Sequence, residues 1–153
     1  MQAFSHEIGH ALGIKLELWQ EVGLIRADPD PGHATNPVFL GPRARATYGR
    51  LAKSDNQPAD VPLENYRSNG RYIEHWQQAI FHTELMTAVL EDGDNEICPV
   101  TVEAMADLGY VVNPDAAERK DIDLVDPVSA LFPPEEAAVA PRKRFLVRGL
   151  QIS

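Results

Sequence analysis

The sequence predicts a mainly α-helical domain with irregular loops, and three observations support this fold class. Residues 2–13 carry apolar side chains at helical spacing, a proline opens a second helical segment at 42–54, and a third helical segment covers residues 100–108. The stretches between these segments are polar and rich in proline and glycine. The sequence therefore predicts a few helices joined by long connections.

The first predicted helix covers residues 2–13 and ends at Gly13, a residue type that often closes a helix. Its apolar side chains recur at the helical period and form one face; they are Phe4, Ile8, Ala11 and Leu12. We expect this face to need a surface to pack against, because leaving one such side chain exposed forfeits roughly 1.5–3 kcal/mol.

The middle of the chain is predicted to hold one further helix between loops. Residues 14–26 are apolar without a clear period and predict a short buried segment. The stretch DPDPGHATNP, residues 28–37, predicts a loop. Residues 42–54 predict a surface helix that opens with a proline, and residues 55–72 predict a polar loop.

The C-terminal part of the chain changes in composition. Residues 73–90, IEHWQQAIFHTELMTAVL, show no single period, whereas residues 100–108 predict a helix closed by Gly109. We expect a domain over residues 1–115. Residues 116–153 read as a linker rich in proline, alanine and acidic residues, followed by a C-terminal tail.

Composition excludes several classes of function. The apolar fraction of 44% and the charged fraction of 24% are typical of a globular protein, and the net charge of −9 argues against nucleic acid as a partner. No apolar run approaches the roughly 20 residues of a transmembrane helix, and MQAFSHEIGH does not resemble a signal peptide. Cys98 is the single cysteine, so we expect it to be a small buried apolar residue without a disulfide partner.

The segment HEIGHALG carries the clearest chemical signal. His6 and His10 lie at positions i and i+4, so on a helix their imidazoles project from one face and can converge on one metal ion. Glu7 lies beside them, where a carboxylate can act as a general base. The H-E-x-x-H pattern therefore predicts two metal ligands and a catalytic glutamate.

A third ligand has to come from elsewhere in the chain. In the pattern H-E-x-x-H-x-x-G-x-x-H the glycine bends the chain toward a third histidine, but here Gly13 is followed by Leu16 at that position. Three later histidines remain as candidates: His33, His75 and His82. His33 lies in a loop rich in proline and glycine, where a solvated side chain is the simpler interpretation.

Several segments taken together resemble the leishmanolysin-like branch of the metzincin proteases. In chain order they are SHEIGHALGI, LWQEVGLI, NPVFLGPRARATYG, VPLEN, HW, ELMT and VTVEAMADLGYVVN, and they cover about residues 4–115. HEIGHALGI alone would also fit a matrixin, but the missing histidine at position 16 and the later HW and ELMT favour the leishmanolysin-like branch.

The resemblance implies a full set of site residues. His6, His10 and His75 would bind one catalytic Zn²⁺, Glu7 would be the catalytic base, and Met86 would form the methionine turn under the metal. It places His82 between the third ligand and this turn, where a wall or core position is expected.

The resemblance also implies a fold, an α+β metzincin fold lacking most of its N-terminal sheet. Only five residues precede His6, so we expect the active-site helix and the C-terminal subdomain here, with an N-terminal subdomain that is missing or supplied by a partner chain. Proteins of this family are typically extracellular or at the cell surface.

Two functions follow from these expectations. The first is a zinc-dependent metalloendopeptidase that hydrolyses a protein or peptide substrate with a zinc-bound water and Glu7. The alternative is a zinc-binding remnant of such a protease that has no competent substrate cleft. Both predict bound zinc, and only the first predicts cleavage.

Overall fold

The computed structural model describes residues 2–27, 36–52, 56–65, 73–90 and 93–118. Its helices are α1 (Gln2–Ala11), α2 (Leu16–Glu21), α3 (Pro42–Ala52), α4 (Gln78–Phe81) and α5 (Pro99–Asp107), followed by a 3-10 turn over Pro114–Ala116. The strands are β1 (Ile25–Arg26), β2 (Val38–Phe39) and β3 (Val61–Pro62). The described part is thus a mixed α/β structure of helices, a few short strands and irregular loops, which agrees with the predicted class at this level.

Helix α1 forms where its sequence predicts but presents its apolar residues outward. The chain leaves the helix through Gly13, whose φ of +121° suits glycine best. Phe4 is 69% exposed, Ile8 41% and Leu12 43%, whereas His6 on the opposite side is buried. Among the described residues the apolar face of α1 is therefore largely exposed to solvent. The side that carries His6 packs against the rest of the structure.

The segment after α1 differs from the predicted short buried stretch. It forms α2 and β1, and β1 begins an antiparallel sheet in the order β1-β2-β3. Strand β3 lies within residues 55–72, which the sequence predicts to be a polar loop. It forms there because Val61 pairs with Phe39 on β2 and is fully buried. A strand of two residues is too short to show the alternation of apolar and polar residues that indicates a strand in a sequence.

Helices α3 and α5 pack against each other. The carboxylate of Asp107 at the end of α5 accepts hydrogen bonds from the backbone N–H groups of Arg43 (3.0 Å) and Ala44 (2.9 Å), and so caps the first turn of α3. Helix α3 was predicted to lie on the surface, yet Ala44 and Tyr48 are buried. Helix α5 and its closing Gly109, with φ of +96°, agree with the prediction.

An aromatic cluster forms the centre of the core. Trp76 lies 5.8 Å from Trp19, 5.7 Å from Phe39 and 5.8 Å from Phe81, measured between ring centroids, and it is fully buried. Such ring pairs add about 0.5–1.5 kcal/mol beyond their buried area. The core therefore holds the residue that directly follows His75.

No helix in the described part of the chain is both long enough and apolar enough to cross a membrane. Most of the predicted linker and tail, residues 119–153, and the loop that contains His33 lie outside the described residues.

Candidate metal centre

Helix α1 supplies two of the three histidines by its own geometry. His6 is 4% exposed and His10 lies one turn further on the same face, half-buried. Their ring centroids are 4.7 Å apart and the ring planes are nearly perpendicular, at 79°. In this arrangement the Nε2 atoms of the two rings approach to 3.0 Å.

The third histidine, His75, lies next to the two rings of α1, in a segment that is hydrogen-bonded to neighbouring segments on both sides. The carbonyl of His75 accepts a hydrogen bond from Glu64 N at 2.9 Å, and the next residue, Trp76, donates from its backbone N–H to Met86 O at 3.0 Å. Bridges pair Trp76 with Leu63 on one side and with Thr87 on the other. Because its neighbour is locked in the core, His75 is presented to α1 at a fixed position.

The three Nε2 atoms form a nearly equilateral triangle. His75 Nε2 lies 3.2 Å from His6 Nε2 and 3.1 Å from His10 Nε2. Three nitrogens bound tetrahedrally to one zinc ion at about 2.0–2.1 Å lie about 3.3–3.4 Å apart, close to the observed sides. These histidines, here called the histidine cluster, therefore have the spacing of a metal-binding group.

Hydrogen bonds to the outer nitrogens orient two of the rings. His6 Nδ1 donates to Leu85 O and His10 Nδ1 donates to Ile14 O, each at 2.6 Å. Since a carbonyl can only accept, each Nδ1 carries the proton, and in the neutral ring Nε2 then carries a lone pair. Two lone pairs 3.0 Å apart repel unless a cation lies between them, and metal-binding histidines commonly have this kind of outer partner.

Burial disfavours protonation of His6. The pKa of His6 is lowered, chiefly by burial and further by the nearby His10; the hydrogen bond to Leu85 and the charges of Glu7 and Glu74 act in the opposite direction. His6 thus resists becoming an imidazolium and keeps its Nε2 lone pair available as a ligand.

Two acidic side chains, Glu7 and Glu74, lie close enough to His6 to influence its charge state. Glu7 is exposed and close enough to influence the charge state of both His6 and Glu74. Burial raises the pKa of Glu74, and the negative charges of Glu17 and Glu7 raise it further, although a backbone hydrogen bond at Leu16 opposes them. Such a concentration of negative charge favours a cation between the rings.

Met86, which the resemblance assigns to a methionine turn, packs against Gly9 of α1. Met86 is 1% exposed, and a Cβ built on Gly9 would lie 2.5 Å from its Sδ atom. The absence of a side chain at position 9 therefore lets Met86 pack against the helix between the two histidines. A glycine inside a helix often marks such a close approach, so Gly9 is the sequence signal for this contact.

Two other residues considered in the sequence, His82 and Cys98, are described by the structure and lie outside the cluster. His82 follows α4 with φ of +50° and is partly exposed, and it is not a member of the cluster found among the described residues. Cys98 is buried without a disulfide, as predicted. Burial, and then the charge of Glu84, raise the pKa of the Cys98 thiol well above its usual value, so the thiol does not resemble a ready metal ligand.

Comparison of the chain with models of protein families, with curated proteins and with solved structures found no match. We therefore argue function from the histidine cluster and the residues around it.

Proposed function

We propose that this chain is a zinc-dependent metalloendopeptidase of the leishmanolysin-like metzincin type, and that it carries the metal centre of that enzyme. The single observation that supports this most is the triangle of Nε2 atoms, with sides of 3.0, 3.1 and 3.2 Å. The glutamate of the H-E-x-x-H pattern and the methionine packed on Gly9 add support.

Zinc fits this donor set better than other common metals. Three imidazoles without thiolates suit a borderline ion in tetrahedral geometry, and calcium and magnesium prefer oxygen ligands. A zinc ion held there supplies Lewis acidity and lowers the pKa of a coordinated water to about 7. His6, His10 and His75 would hold the ion as neutral ligands.

Glu7 is the residue assigned to proton transfer. Its side chain is exposed and therefore accessible to substrate, unlike the buried His6 that precedes it. A carboxylate in this position can take a proton from the attacking water and deliver it to the leaving amine as the peptide bond breaks. Positioned acid–base catalysis of this kind contributes about 10²–10⁴-fold to a rate.

One observation favours the alternative of a zinc-binding module without activity. Phe4, Ile8 and Leu12 leave an apolar stripe exposed on the side of α1 opposite the buried His6. If substrate has to bind against a surface that covers this stripe, the chain by itself would bind zinc without cutting peptides.

Zinc content and casein cleavage, measured together, test the two functions. We expect the chain to bind one zinc ion and to cleave casein, with cleavage abolished by a chelator and restored by zinc. Glu7→Gln should retain zinc and lose hydrolysis, whereas Glu21→Gln, the same change at an exposed site on α2, should remain active. Zinc binding without cleavage would support the alternative, and full activity of Glu7→Gln would refute the proposed role of this residue.

A further inference from the structure

A buried carboxylate lies in the turn that carries Met86. Glu84 is 1% exposed, and its Oε2 atom accepts a hydrogen bond from the backbone N–H of Met86 at 2.5 Å. Its Oε1 atom accepts from the Thr101 hydroxyl at 2.5 Å and from Cys98 N at 3.3 Å. The described ion pairs involve other carboxylates, so this side chain is held by hydrogen bonds alone.

The directions of these bonds favour an ionised carboxylate. The indole N–H of Trp76 can only donate, and it donates to Thr101 Oγ1 at 2.7 Å, which leaves the Thr101 hydroxyl proton available for Glu84. The backbone N–H groups of Met86 and Cys98 can only donate to the carboxylate, and the Thr101 hydroxyl donates as well. Burial raises the pKa of Glu84 to about 7 against these donors, so above that pH the carboxylate is charged.

One peptide group connects this carboxylate to the histidine cluster. The N–H of the Leu85–Met86 peptide donates to Glu84, and the carbonyl of the same peptide accepts the Nδ1–H of His6 at 2.6 Å. When a peptide N–H binds an anion, its carbonyl becomes a stronger acceptor, because hydrogen bonds in a chain polarise one another. A stronger acceptor at Nδ1 makes the imidazole a more basic ligand at Nε2.

We propose that Glu84 is a positioning residue for the metal ligand His6, acting through the Leu85–Met86 peptide. It holds the Leu85 carbonyl in line with the His6 ring and increases the electron density that the ring offers to a metal. This inference rests on the metal centre of the proposed function.

The second histidine of α1 provides an internal control. His10 Nδ1 donates to Ile14 O at 2.6 Å, the same distance as in the His6 bond. The N–H of that peptide, from Lys15, donates to the neutral carbonyl of Gly13 at 2.9 Å. The two Nδ1–H···O bonds therefore have the same length. Only the peptide that accepts from His6 donates its own N–H to a carboxylate.

The experiment is nitrogen-15 and proton NMR of the zinc-loaded full chain at pH 8, together with its zinc affinity. In Glu84→Gln the peptide loses its charged acceptor, so we expect the Nδ1–H resonance of His6 to move upfield while that of His10 stays in place. Zinc affinity should fall by about tenfold or more, within the range for outer partners of metal ligands. Thr101→Val disturbs the same network but keeps the contact with Met86, so it should lose stability with little change in the His6 resonance.

The unmodified protein provides a test even if Glu84→Gln does not fold. Because the two Nδ1···O distances are equal, the inference predicts that the His6 proton resonates further downfield than the His10 proton. Equal shifts, or a His10 proton further downfield, would overturn the inference, as would an unchanged His6 resonance and zinc affinity in Glu84→Gln. Failure of the wild-type chain to bind zinc would instead reject the proposed function, so the two failures are distinguishable.

Discussion

Replacing Gly9 by alanine tests the packing of Met86 on α1. A Cβ at this position would lie 2.5 Å from Met86 Sδ and 2.9 Å from its Cε, well inside the about 3.5–4.0 Å of ordinary contacts. Met86 is 1% exposed, so its side chain has to displace other core atoms in order to move away.

Two opposing effects set the size of the change. Alanine is a better helix former than glycine by roughly 0.5–1 kcal/mol in a helix interior, which would stabilise α1. Overpacking a well-filled site costs about 1–3 kcal/mol. We therefore expect Gly9→Ala to lower the free energy of unfolding by up to about 2.5 kcal/mol. It should also weaken zinc binding, because Met86 has to move away from the helix segment between His6 and His10.

A double-mutant cycle with Met86→Ala separates the two effects. Once the Met86 side chain is removed the clash disappears, so in that background Gly9→Ala should raise the free energy of unfolding by roughly 0.5–1 kcal/mol. Urea unfolding of the four metal-free proteins measures the cycle. If Gly9→Ala has the same effect with and without the Met86 side chain, the predicted contact does not exist.

Two further predictions concern stability. Asp107→Ala removes the acceptor for the N–H groups of Arg43 and Ala44, so urea unfolding should show a loss of about 0.5–2 kcal/mol; no loss would refute the cap on α3. Glu84 has a folded-state pKa of about 7, above its ordinary value of 4.5, so the folded chain binds more protons between these values and loses stability as pH rises. Relative to Glu84→Gln, the metal-free wild type should lose about 3 kcal/mol between pH 4.5 and 7, and a gain would contradict the raised pKa. His6 acts in the opposite direction, because its lowered pKa reduces stability as the pH falls below 6.5. His6 is present in both wild type and Glu84→Gln, so its contribution cancels in the difference between them.

Local spacing was enough to predict the first half of the site. His6 and His10 share a helix face by the period alone, and α1 and α5 form near the predicted residues. His75 could not be chosen over the other later histidines by spacing, and only the resemblance singled it out. Its position depends on Trp76 being fixed in the core, which is a non-local contact.

Other features depend on packing that no local pattern reports. Val61 becomes a strand residue only because Phe39 pairs with it, and the outward orientation of Phe4 depends on which side of α1 the protein covers. The carboxylate of Glu84 is likewise defined by partners distant in sequence, such as Thr101. That the histidine cluster binds zinc and that the chain hydrolyses peptides stay predictions.

The most direct test is zinc binding by the wild type and by two histidine variants, measured by competition with a chromophoric chelator. We expect one zinc ion per chain. His75→Ala should weaken binding by more than the roughly 10–100-fold that changes to outer partners cost, whereas His82→Ala, a histidine outside the cluster, should bind zinc like the wild type. No zinc binding by the wild type, or equal affinity in all three proteins, would contradict a metal centre built from His6, His10 and His75.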